Sequence, residues 1–119
     1  MRSKSRVILI GFSQGGAIAL ANGLRREAGI AGIAALSTYL PLLTQTMAEI
    51  TDAGRKTPVF MAHGSQDPMV PQALGLRSRA AMEALDVSVQ WHSYPMPHSV
   101  CADELRDLGD WLTLRFSAR

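Results

Sequence analysis

The chain has 119 residues, 47% hydrophobic and 18% charged, with a net charge of +2. That balance gives a globular chain with a real core and excludes disorder, and the length suits one domain rather than two. Basic residues fall in scattered pairs such as Arg25-Arg26 and Arg55-Lys56, and Cys101 is the single cysteine, so nucleic-acid binding, an internal disulfide and a Cys-rich zinc site are not expected.

The start of the chain, "MRSKSRVILIGF", pairs a basic lead (Arg2 to Arg6) with an apolar run, as a secretory leader does. Ser13-Gln14-Gly15-Gly16 breaks that run after six residues, Val7 to Phe12, too short for a leader's apolar region. No run approaches the ~20 apolar residues of a membrane span. With one cysteine, the expected setting is the reducing cytoplasm, with Cys101 acting as a small, partly buried hydrophobe.

Residues 6–11 form a near-continuous β-branched run, the pattern of a strand buried on both faces. Residues 16–26, rich in Ala and Leu and ending on Arg25 and Arg26, predict a helix. "GIAGIAALST" (29–38) is a second strand, followed by a loop at Tyr39-Leu40-Pro41 and a weakly helical or irregular stretch over 44–53. "TPVFMAHG" gives a third strand ending at Gly64, and "SQDPMVP" is loop by composition. A helix is predicted over 72–85 and a fourth strand over 87–95, with Val87, Val89 and Trp91 on one face. A last helix runs from about 101 to 116, with Leu105, Leu108, Trp111 and Leu112 at helical spacing. Strands alternating with helices imply βαβ units, hence one α/β unit over 1–119 with a mostly parallel sheet of four strands.

Gly11-Phe12-Ser13-Gln14-Gly15 matches G-x-S-x-G, with a buried strand running into it and a small-residue helix running out. Such a bend exposes a serine as a nucleophile; the plainer reading is a turn that happens to contain serine. The glycines would remove clashing side chains and accept unusual backbone angles. A serine hydroxyl needs a base to take its proton, and the base needs an acid to orient it. Asp67 lies in the loop after the third strand and His98 in the loop after the fourth, giving the order Ser, Asp, His at carboxyl ends of parallel strands. His63, at the end of the third strand, reads as a packing or locally bonded residue. His92 points to the face opposite Trp91, and Asp52, Asp86, Asp103 and Asp110 lie in other loops or on the last helix. Separately, Asp67 could be a turn aspartate and His98 a surface histidine; the ordered combination is what points to chemistry.

"GFSQGGAIAL", "AHGSQDPMVP" and "YPMPHSVCADEL" resemble blocks of the phospholipase/carboxylesterase family of α/β-hydrolases, which includes acyl-protein thioesterases. The resemblance covers essentially the whole chain. It implies an α/β-hydrolase-like fold, a Ser13–Asp67–His98 triad cleaving esters or thioesters without cofactor or metal, and the Gln14 N–H as an oxyanion donor. It also implies that the loop from Ser37 to Pro41, with Leu40, and the pair Met69 and Val70 border an acyl pocket for a small or acylated substrate. Two residues depart from the family pattern: Pro97 and Thr38 stand where glycine is usual. The blocks correspond to a C-terminal half, so strands preceding the nucleophile strand, and a second oxyanion donor, are absent from this stretch. An apolar strand over 7–10 with one open edge predicts association, with a second copy or with a complementary N-terminal half. The alternatives are an inactive fragment serving only in assembly, and a peptidase of the same fold.

Overall fold

The computed structural model describes residues 6–117, so Arg2 to Ser5 of the basic lead lie outside the described residues. Strand β1 (Ile8–Phe12) leads into helix α1 (Gln14–Gly23), then strand β2 (Gly32–Leu36). Two short helices, α2 (Leu43–Ala48) and α3 (Asp52–Arg55), precede strand β3 (Val59–Gly64). Helix α4 (Gln72–Glu83), strand β4 (Val89–Tyr94) and helix α5 (Ala102–Ser117) complete the order. The four strands make one sheet in the order β1-β2-β3-β4, with every adjacent pair parallel.

Every residue of β2 and β3 is buried, as expected of central strands covered on both faces. On one face, Ile33, Ala35, Val59 and Met61 pack with Leu20 of α1, Leu24 just after it, Met82 of α4, and Val87. On the other, Ala34, Leu36, Phe60 and Ala62 meet Leu108 and Trp111 of α5. Val87, Val89 and Trp91 share the first face, as their alternation predicted. His92 stacks on Phe60 across the second, with ring centroids 5.1 Å apart.

The irregular stretch over 44–53 resolves into α2 and α3, the latter started by Thr51, whose hydroxyl accepts the Gly54 N–H at 2.8 Å. Helix α1 ends three residues earlier than predicted, and Arg25 bends back to donate to the Ala21 carbonyl. Leu105 points outward from α5, 56% exposed, because the second face has no other described helix to pack against it.

Candidate active site

Ser13 sits between β1 and α1 with φ 57° and ψ −119°, outside ordinary helix and strand regions. This strain falls on the serine itself, and no glycine among the described residues has positive φ. The glycines around it serve close approach instead. A Cβ on Gly11 would collide with the Gly15 backbone, and one on Gly16 would stand 2.7 Å from Thr38 Cγ2. A Cβ on Gly15 would meet nothing within 4 Å, so the missing side chain there does not clear the bend as the motif suggests. The Ser13 N–H donates to the Leu36 carbonyl at 2.7 Å, which ties the bend to the end of β2. Although Ser13 caps α1, its side chain makes no capping bond.

The hydroxyl turns instead to His98, whose Nε2 lies 2.9 Å from Ser13 Oγ. His98 Nδ1 lies 2.6 Å from Asp67 Oδ2. A carboxylate only accepts, so Nδ1 carries the proton, and Nε2 is left to accept from the Ser13 hydroxyl. The Phe12 ring lies 4.9 Å from the imidazole, between centroids. Asp67 is held from its other side as well: Oδ1 accepts the N–H groups of Met69 at 2.9 Å and Val70 at 2.8 Å. Burial opposes the charge on Asp67, but the Val70, His98 and Met69 donors outweigh it and hold the carboxyl below its ordinary pKa.

The loops bearing Asp67 and His98 are bound to each other. The Ser65 N–H donates to the Tyr94 carbonyl and the Gln66 N–H to the Met96 carbonyl. A Cβ on Gly64 would run into the carbonyls of Met96 and Pro97. That glycine therefore lets the His98 loop lie directly on the end of β3. With Pro97 in place of the usual glycine, His98 still reaches both partners.

A cavity of about 550 Å³ opens beside Ser13. Its wall includes two rows of α1 at four-residue spacing, Ser13/Ala17/Ala21 and Gln14/Ile18/Asn22. Thr38, Tyr39, Pro41 and Val70 close the other side. Of the pocket residues named from sequence, Val70 lies on this wall. Leu40 does not: it is 2% exposed in the core with α1 and α4, its N–H bonded to the Ser78 hydroxyl. Met69 is 74% exposed and also off the wall, since the Asp67 turn holds it by its backbone. Ile18 was not singled out from sequence; its place one helical turn after Gln14 was the available signal. Gln14 is the first residue of α1, where backbone N–H groups have no intrahelical acceptor. Among the described residues, no group of three His, Cys, Asp or Glu side chains could hold a metal ion, and no helix is long and apolar enough to cross a membrane.

The chain matches the phospholipase/carboxylesterase family over residues 1–115. It is 43% identical over 112 residues to acyl-protein thioesterase 1 of Mycosarcoma maydis, covering 90% of this chain and 47% of that protein. It is 33% identical over 114 residues to lysophospholipase-like protein 1 of Mus musculus, covering 94% and 48%. The crystal structure of Arabidopsis thaliana SOBER1 is similar with a TM-score of 0.87 and 30% identity, over 92% of this chain and 52% of that one. The chain spans about half the length of the curated relatives it matches.

Proposed function

This chain belongs to the phospholipase/carboxylesterase family, and from that premise we propose that it is a serine hydrolase of acyl esters or thioesters, with Ser13, His98 and Asp67 as its triad. The observation that carries the reading is the continuous hydrogen-bonded line from Ser13 Oγ through the His98 ring to Asp67 Oδ2.

In this mechanism the substrate's acyl chain lies in the cavity along α1, with its carbonyl carbon over Ser13 Oγ. His98 Nε2 takes the hydroxyl proton as Oγ bonds to that carbon, and the carbonyl π electrons move onto oxygen. The Gln14 N–H, at the positive end of α1, stabilises the oxyanion. Asp67 keeps the ring in its Nδ1–H tautomer and offsets the imidazolium charge. As the tetrahedral adduct collapses, the bond to the alcohol or thiol breaks and the leaving group takes the proton from Nε2. Water then attacks the acyl-serine with His98 again as base; the Oγ–acyl bond breaks, the carboxylic acid leaves, and Ser13 recovers its proton. Cys101 as the single cysteine supports the cytoplasm as the setting. The exposed side chains of Ile10 and Phe12 on β1 support association with a second copy or a complementary chain.

The test is turnover of paired acyl esters and acyl thioesters by the parent and Ser13→Ala. Release of the free carboxylic acid by the parent alone is expected. Equal release by both proteins, or cleavage of peptide amides in preference to esters, overturns the reading. No release by a folded parent chain favours the assembly-only alternative.

A further inference from the structure

We infer that His63 is a positioning residue for this hydrolase: its ring Nε2–H holds the Val70 carbonyl, and through it the turn that presents Asp67 to His98. The inference rests on the triad reading of Ser13, Asp67 and His98. His63 lies near the end of β3 and is 1% exposed. Its Nε2 stands 2.7 Å from the Val70 carbonyl oxygen. A carbonyl only accepts, so Nε2 carries the proton. Nδ1 is buried with no hydrogen-bond partner, and it faces Gly75 of α4, where a Cβ would come within 2.9 Å. A proton on Nδ1 would be a buried donor with no acceptor, so the surroundings satisfy the tautomer with the proton on Nε2. Trp91 lies nearly parallel to it, 6.1 Å between centroids and 19° between planes.

The consequence lies in the turn. Val70 is gripped at both ends: Asp67 Oδ1 takes its N–H and His63 takes its C=O. Releasing the carbonyl loosens the residue whose N–H sets the Asp67 side-chain orientation. Val70 also lines the cavity beside Ser13, so one bond fixes both the acid and a surface that meets substrate. His63 itself does not compete for the acid. Its Nε2 is 3.7 Å from Asp67 Oδ2, too far for a hydrogen bond, whereas His98 Nδ1 sits at 2.6 Å from the same oxygen.

A histidine that only filled space would be replaced well by phenylalanine; one that acts through its Nε2–H would not. The experiment measures the rate of fluorophosphonate labelling of Ser13 in the parent, His63→Gln, His63→Asn and His63→Phe. The glutamine amide can donate from near the Nε2 position, whereas asparagine is too short and phenylalanine has no donor. Gln is expected within about threefold of the parent, and Asn and Phe about tenfold slower or more, the order of a small misplacement of a catalytic group. Those losses should vanish in an Asp67→Asn background, because a contribution made through the carboxylate is not lost twice.

Parental rates in the Asn and Phe variants, or losses that add fully to that of Asp67→Asn, overturn the inference. Nitrogen-15 NMR of the parent imidazoles decides the matter even for variants that do not fold. A slowly exchanging proton on His63 Nε2 with none on Nδ1 is expected, and a proton on Nδ1 overturns it. Failure of the triad reading is distinguishable, because it would show as undiminished labelling of Ser13→Ala or Asp67→Asn, whatever the His63 variants do.

Discussion

At the ends of β3 and β4 the polar groups are closed on one another. Asp67 has two backbone donors on one oxygen and His98 on the other, and the two loops share backbone bonds. On the β1 flank the picture differs. Ile10 is 50% exposed and Phe12 39%, on a face where α5 covers β2 and β3 but leaves these side chains open. Ser13 belongs to both regions: it is carried by β1 but tied to β2 through Leu36 and to His98 through its hydroxyl. The contrast teaches that Ser13 is positioned from the inner side of its strand. Damage there should be severe, and damage on the outer flank mild.

The largest effect is expected from the closed region. If the proposed triad acts as a unit, Asp67→Asn or His98→Ala should slow Ser13 acylation by roughly 10³–10⁴ or more. Both variants should still melt cooperatively. The Asp67 carboxyl is held low by its donors, so it contributes stability that is present above the unfolded value of about 3.9 and is lost as pH falls through the lower folded value. Asp67→Asn should therefore remove part of the acid-side loss of stability, which melts at several pH values would show.

Next come the two sides of β1. Gly11→Ala places a methyl group against the Gly15 backbone and should cost about 2–4 kcal/mol in denaturant unfolding, with Ser13 labelling lost as the bend opens. Ile10→Lys, on the same strand but facing outward, should cost about 0.5 kcal/mol or less and leave labelling near the parental rate. Equal costs at the two positions would dissolve the contrast.

The smallest effect concerns Glu104, in the first turn of α5 and fully buried. Burial pushes its carboxyl pKa up, although the Cys101 backbone N–H offsets part of that. The folded chain thus keeps a proton that the unfolded chain has lost, and stability falls as pH rises from the unfolded value of about 4.3 toward the folded one. Glu104→Gln should flatten that fall and slightly raise the melting temperature at neutral pH. A lower melting temperature would show that the buried charge is compensated.

Much of this architecture was legible because buried parallel strands are continuous apolar runs, as in residues 32–36 and 59–64. The order of Ser13, Asp67 and His98 was legible for a related reason: each follows a strand, and parallel strands bring their ends to one edge of the sheet. Contacts set by tertiary approach were not legible. G-x-S-x-G suggests that glycine accepts the unusual angles, but Ser13 does so, and Gly11 and Gly16 make room. Leu40 was placed at the pocket by the family resemblance and Leu105 in the core by helical period, and neither says which face a neighbouring element covers. His63 read as a packing or locally bonded residue, and it does bond locally, but that its partner is the Val70 carbonyl depends on a turn whose shape the sequence does not state.

The central claim is that Ser13 is an activated nucleophile driven by His98. Its most direct test is mass-spectrometric mapping of the folded chain after fluorophosphonate treatment. A single adduct on Ser13, absent from Ser13→Ala and strongly reduced in His98→Ala, is the predicted result. No adduct on Ser13, or an adduct formed equally well without His98, would contradict the account.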